Sequence, residues 1–130
     1  MGSRTGHTCR SCGTRFTVDQ GGGFFFDQLH CDQCGKVWSI GHKDMGDLHL
    51  GFVKGLGRPY AIARARMDAQ IQREFPGPAI SREDYYTGVE ALAPACACGG
   101  SFRYDAPPRC PRCRSTSEDW TMTRTIMHYD

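Results

Sequence analysis

Short β-prone runs and helical stripes succeed one another along this chain in three stretches. Arg15-Phe16-Thr17-Val18 and Phe24-Phe25-Phe26 stand on either side of Gly21-Gly22-Gly23, a pattern that predicts a hairpin turning at the glycines. Val37-Trp38-Ser39-Ile40 predicts a third strand. After residue 43 the period becomes helical, with Met45, Leu48, Phe52 and Leu56 recurring on one side. Gly46, Gly51 and Gly55 weaken that helix by about 1 kcal/mol each relative to alanine. Gly51 and Gly55 also lie one turn apart, where another backbone can approach closely. A membrane-type pairing of these glycines is the rival reading, and Asp47, His49 and Lys54 argue against it.

A better helix is predicted from Pro59, with Tyr60, Ala63, Met67, Ile71 and Phe75 on its apolar side. Pro76-Gly77-Pro78 ends it. Ser81 then caps a third helix, with Asp84 three residues on in a near capping box and Tyr85, Val89 and Leu92 as the buried stripe. Past residue 96 the period returns to two. Phe102 and Tyr104 alternate with Arg103 and Asp105, and Pro107-Pro108 turns the chain. Trp120, Met122, Arg124 and Ile126 alternate with three threonines as a final strand.

The cysteines sharpen this picture more than any other residue type. All eight fall in close pairs: Cys9 with Cys12, Cys31 with Cys34, Cys96 with Cys98, and Cys110 with Cys113. Such pairs are the ligand pattern of four-thiolate structural zinc. Gly13, Gly35 and Gly99-Gly100 supply the tight turns that let two neighbouring thiolates reach one ion. With 61 residues between Cys34 and Cys96, the expected sites are local: Cys9, Cys12, Cys31 and Cys34 around one zinc, Cys96, Cys98, Cys110 and Cys113 around another. The expected class is a small metal-bound α+β protein, with two zinc ribbons flanking a helical middle segment. Its units are residues 1–42, 43–95 and 96–130.

The knuckles, and Cys110-Pro111-Arg112-Cys113 in particular, resemble those of rubredoxin-like zinc ribbons. The order ribbon, helices, ribbon is similar to that of small uncharacterised bacterial zinc-ribbon proteins. The resemblance implies metal binding and a ribbon fold, and it transfers no activity. Iron in the rubredoxin manner is the competing occupant of Cys96, Cys98, Cys110 and Cys113. The CxC departs from the usual rubredoxin pattern.

Size and charge narrow the function. Sixteen glycines in 130 residues and terminal units of about 40 residues leave little core, so metal is expected to be a folding requirement. The formal charge of +2 becomes −2 once two zinc–tetrathiolate centres are counted, and no unit is strongly basic. Residues 1–15 are polar, without the apolar core of a signal peptide, and no run is long enough to span a membrane. Paired free thiols then place the protein in a reducing compartment, the cytoplasm.

No nucleophile, base and orienting group can be assembled from local patterns, so no catalytic residue is assigned. The five histidines, His7 and His30 among them, read as outer partners of the thiolate sites or as surface groups. Arg10, Arg15, Lys36, Arg103, Arg109, Arg112 and Arg114 gather around the knuckles, either compensating the anionic centres or contacting phosphates. A protein partner is expected at Phe24, Phe25 and Phe26, with Arg66, Gln70 and Arg73 on the central helix as the next surface. The leading expectation is therefore a zinc-binding protein-interaction or regulatory module within a larger assembly. A nucleic-acid-binding zinc-ribbon protein comes second, and a small redox or hydrolytic enzyme third.

Overall fold

In the computed structural model, which describes residues 2–130, each of two sheets takes strands from both ends of the chain. The strands are β1 (Gly2–Cys9), β2 (Arg15–Gln20), β3 (Phe26–Cys31), β4 (Val37–Gly41), β5 (Phe102–Arg103) and β6 (Trp120–Tyr129). Between β4 and β5 lie α1 (His42–Met45), α2 (Asp47–Leu56), α3 (Ala65–Glu74) and α4 (Arg82–Leu92). One sheet is ordered β2-β1-β6 and the other β4-β3-β5, all pairs antiparallel.

The predicted hairpin between residues 15–18 and 24–26 does not form. β2 pairs with β1 instead, from Ser3 opposite Gln20 to Thr8 opposite Arg15. β3 begins only at Phe26 and pairs with β4. The cysteine knuckles, not the triple glycine, are the hairpin turns. Cys9 N donates to Thr14 O at 2.9 Å and Cys31 N to Lys36 O at 2.8 Å, so each cysteine turn also sets the register of its hairpin. β1 carries no apolar alternation, which hid it from pattern reading; pairing along both its edges makes it a strand.

The helical region departs from its pattern in instructive ways. The first helix is split at Gly46, whose φ of 58° ends α1 before α2 begins. Gly51 and Gly55 receive another backbone, as their spacing implied. Ile80 N donates to Gly51 O at 3.1 Å. A Cβ at Gly51 would stand 2.9 Å from Pro78 O, and one at Gly55 2.8 Å from Ile80 O. α3 starts at Ala65 after a 3₁₀ turn over Ile62–Arg64, not at Pro59. Its expected apolar stripe stays largely in solvent: Ala63 and Met67 are exposed, and Ile71 and Phe75 half-buried. The side that goes inward carries Asp68, preceded one turn earlier by the buried Arg64. In α4, Ser81 Oγ accepts from Asp84 N at 3.1 Å and Tyr85 and Val89 are buried, while Leu92 at the helix end is exposed. β6 buries Trp120 but leaves Met122 and Ile126 exposed, so its alternation does not mark a core face.

The main core packs Leu29, Ile40, Met45, Phe52, Tyr85, Val89 and Phe102 around Cys31 and Cys96. A smaller one packs Val18, Trp120 and Phe16 around Cys9 and Cys110. Beside the main core runs a buried polar chain. Asp27 meets His42 Nε2 at 3.1 Å, and His42 Nδ1 meets Arg64 Nη1 at 2.8 Å. Arg64 pairs with Asp68 at 3.2 Å, and Asp68 accepts from Tyr60 N at 2.8 Å. Burial alone would raise the Asp27 pKa, but hydrogen bonds from His42, Tyr104 and Tyr85 outweigh it and hold the carboxyl below the usual range. His49 stacks on His42 with centroids 3.8 Å apart, and neither of its ring nitrogens has a partner among the described residues. No helix among the described residues is long and apolar enough to cross a membrane.

Two outcomes follow from this packing. Gly55→Ala should destabilise the protein by about 1–2 kcal/mol, because the clash with the Ile80 carbonyl outweighs the roughly 1 kcal/mol gained in helix propensity. Urea unfolding in excess zinc checks this, and a stabilised G55A would contradict the close approach. The second concerns His49, whose pKa is pushed down to about 3 by burial and by nearby His42 and Arg64. An unfolded histidine titrates near pH 6.5, so the unfolded chain takes up a proton that the folded chain refuses, and stability falls as pH drops from about 6.5 toward 3. His49→Phe, which keeps the ring stack, should raise stability at pH 7 by about 1–3 kcal/mol and remove that part of the acid loss. The same unfolding series across pH tests it.

Candidate metal centres

All four cysteine pairs sit on turns of one design. In Cys9–Cys12, Cys31–Cys34 and Cys110–Cys113 the amide following the second cysteine returns to the carbonyl of the first, at 2.8, 3.0 and 2.9 Å. In the shorter Cys96–Cys98 turn Gly99 N reaches Cys96 O at 2.9 Å. The residue making that bond is left-handed each time: Gly13, Gly35, Gly99 and, as the one non-glycine, Arg114 at φ 63°. Amides of the turns also point at sulfur, Gln33 N at Cys31 Sγ (3.5 Å) and Gly100 N at Cys98 Sγ (3.4 Å).

The turns are brought together across the chain and not along it. One group joins Cys9, Cys12, Cys110 and Cys113; the other joins Cys31, Cys34, Cys96 and Cys98. The local pairing expected from sequence is thus corrected: Cys9 and Cys12 do not share a site with Cys31 and Cys34. The cause is the sheet pairing. β6 lies antiparallel along β1 and brings Trp120 opposite Cys9, while β5 lies along β3 and brings Phe102 opposite Cys31.

The sulfur geometry fits a four-coordinate ion. Cys9 Sγ lies 3.5 Å from Cys113 Sγ and Cys12 Sγ 3.6 Å from Cys110 Sγ. Cys31 Sγ lies 3.4 Å from Cys98 Sγ and Cys34 Sγ 3.6 Å from Cys96 Sγ. Within each group all four sulfurs fall within 4.8 Å of one another. A tetrahedron with metal–sulfur bonds of about 2.3 Å has edges of about 3.8 Å. Disulfide sulfurs would sit about 2.05 Å apart. Each group can therefore hold a metal ion with thiolate donors alone.

Electrostatics within each group prepare some thiols and resist others. The Ser115 hydroxyl, 3.2 Å from Cys9 Sγ, heads the contacts that draw Cys9 down to about 6, and Thr14 lowers Cys12. In the other group burial resists ionisation of Cys31, yet the Cys34 and Gln33 amides hold it at about 7; burial pushes Cys34 up to about 12. Cys110 is raised by burial as well. A cation would replace the protons that remain, so metal uptake is coupled to proton release. The hydroxyls at Thr14 and Ser115, two positions after Cys12 and Cys113, were a readable signal that pattern analysis passed over.

The basic residues are unevenly shared between the centres. Arg10, Arg112 and Arg114 stand exposed on the turns of the first group, and half-buried Arg109 donates to Arg114 O at 3.1 Å. The turns of the second group carry Lys36 and Asp32. Of the three phenylalanines, Phe25 is 55% exposed with the Arg64 guanidinium 5.4 Å from its ring. Phe24 is half-buried, and so is Phe26, which stacks on Tyr129. Arg66, Gln70 and Arg73 are exposed on α3, where Gln70 donates to Glu74 at 3.0 Å.

These features define a small α+β protein with two tetrathiolate groups, each able to hold a metal ion. The chain belongs to the family described as a domain of unknown function (DUF8255), whose family model matches residues 5–119, a span containing all eight cysteines. No curated protein and no solved structure matches the chain.

Pairing and stoichiometry can be tested together. A Cys34→Ser/Cys96→Ser double variant removes two donors from one group and should retain one metal per chain by elemental analysis, against two for the parent. Were the sites local, the same double variant would damage both and lose both ions.

Proposed function

We propose that this chain is a two-zinc interaction module of the reducing cytoplasm, in which ribbon-like knuckles bind one zinc through Cys9, Cys12, Cys110 and Cys113 and a second through Cys31, Cys34, Cys96 and Cys98. The observation that carries this reading is the donor set. Four thiolates fill a tetrahedral ion and leave no position for water or substrate, and the buried members of both groups belong to the hydrophobic cores. Such ions hold a fold together. Thiolates suit iron and zinc alike, and zinc is preferred because a structural clasp asks for no redox chemistry.

The partner-facing part of the reading rests on Phe25, an aromatic ring left mostly in solvent beside a buried arginine. Aromatic–arginine surfaces of this kind are favoured anchors for protein partners. A second reading, nucleic-acid binding, draws on Arg10, Arg112 and Arg114, which stand exposed around the first centre.

Affinity capture from the native host with zinc-loaded protein separates the two. Phe25→Ser should reduce recovery of a specific protein at least tenfold, with zinc content and melting temperature unchanged. Substituting the three arginines by alanine should leave that recovery intact. RNA or DNA recovered instead, lost in the arginine variant and falling steeply with salt, would put the second reading in its place. A coloured protein containing iron would overturn the choice of metal.

A further inference from the structure

A cleft of about 850 Å³ opens between the β2-β1-β6 sheet and the helical side of the molecule, and it reaches Asp27. The hydrogen bonds around Asp27 are unusual in what they leave over. Tyr85 and Tyr104 hydroxyls both donate to Asp27 Oδ2 at 2.6 Å. Arg64 has only donors, so His42 Nδ1 must accept from it, and the proton of His42 sits on Nε2, facing Asp27 Oδ1. Every hydrogen near the carboxylate is therefore already used. What remains free at this end of the cleft is lone pairs, on the two phenol oxygens and on Asp27 itself.

The charge is equally one-sided. Asp27 is 8% exposed, and among the described residues no lysine or arginine forms an ion pair with it. Arg64 is matched by Asp68. The charged groups lining the cleft are Asp27, Asp105 and Arg82; Asp105 is bound to Arg103 at 3.0 Å, and Arg82 is exposed without an ion pair. A carboxylate hydrogen-bonded by three side chains and ion-paired to no lysine or arginine keeps a negative charge that attracts a cation entering the cleft. Aromatic rings surround the place such a cation would occupy. Tyr86 stacks on Tyr104 and Phe52 on Tyr85, and Tyr60 and Tyr86 keep part of their surface open, each 36% exposed. Ring faces attract cations, and apolar ring surface suits an alkyl stem.

We propose that this cleft binds an alkylammonium group, carried by a free amine or by a lysine side chain. Its N–H hydrogens are accepted by Asp27 and by the Tyr85 and Tyr104 oxygens, and its alkyl chain lies against Phe52, Tyr60 and Tyr86. The site is separate from the tetrathiolate centres, and its occupancy does not depend on which metal they hold.

The test uses the full zinc-loaded chain with labelled tyrosine rings, titrated with n-butylammonium chloride and observed by NMR. Saturable shifts of Tyr85, Tyr86 and Tyr104 are expected, and none with sodium butyrate, which has the same chain and the opposite charge. Parallel titration with Nα-acetyl-lysine methylamide assigns the source: comparable binding indicates a side chain, and binding of butylammonium alone indicates a free amine. Asp27→Asn should weaken binding at least tenfold. Because that change also disturbs the two tyrosines, Tyr86→Leu provides a second measure. Tyr86 makes no hydrogen bond to Asp27, and its loss should weaken binding about fivefold, with the Tyr104 ring signals of the free variant checking that Tyr104 keeps its place. Absence of saturable shifts, equal binding of butyrate, or an unchanged affinity in Tyr86→Leu would overturn the proposal.

Discussion

Four sulfurs within 4.8 Å of one another, with Cys31 fully buried in one group and Cys9 and Cys110 in the other, cannot all ionise without a cation between them. Thiols left protonated would place six weakly bonding groups, Cys9, Cys12, Cys31, Cys34, Cys96 and Cys110, where both small cores need cohesion. A divalent ion at each group would turn that repulsion into attachment. Each tetrathiolate group joins an N-terminal hairpin turn to a C-terminal turn, and each sheet takes its third strand from the far end of the chain. The main core closes behind one centre, and Val18 and Trp120 close behind the other.

Within that frame the polar interior is a cost carried by packing. Arg64, Asp68, His42, His49 and Asp27 are all less than 9% exposed, a charged chain running beside an apolar core. Burying such groups in place of hydrophobic residues usually lowers stability or leaves it unchanged. Most of them are satisfied: Asp27 by three donors, Asp68 by Tyr60 N and Arg64, and Arg64 also by Phe24 O. Arg64 Nε and Asp68 Oδ1 still lack a hydrogen-bond partner among the described residues, and His49 lacks one at both ring nitrogens, its ring stacked on His42. With metal in both groups, a chain of 130 residues would tolerate such an interior with more margin than without it.

Legibility in the sequence followed how local each cause is. The eight candidate ligands, the knuckle glycines, the Ser81 cap and the close approach at Gly51 and Gly55 all depend on residues a few positions apart, and all are readable. β4 and the last strand were readable as strands for the same reason. β1 was not, because Gly2–Cys9 owes its conformation to partners on both edges. The inward side of α3 was misread because an ion pair, Arg64 with Asp68, displaced the apolar stripe of Met67 and Ile71 from the interior. The polar chain around Asp27 joins β3, α1, α2, α3, α4 and Tyr104, and no short-range pattern connects these residues.

The pairing of the cysteines shows the limit of sequence distance as a guide. Cys12 and Cys31 are separated by 18 residues, Cys12 and Cys110 by 97. Loop closure grows only with the logarithm of length, so the longer connection costs about 1.5 kcal/mol more than the shorter. Ten-residue β6, paired along β1 from Gly2 to Cys9, offsets that difference with a ladder of hydrogen bonds and the burial of Trp120. The local grouping of Cys9, Cys12, Cys31 and Cys34 would have the cheaper loop to close. What decides against it is not the ligands, which are chemically identical in both arrangements, but the sheet that only the interleaved arrangement completes.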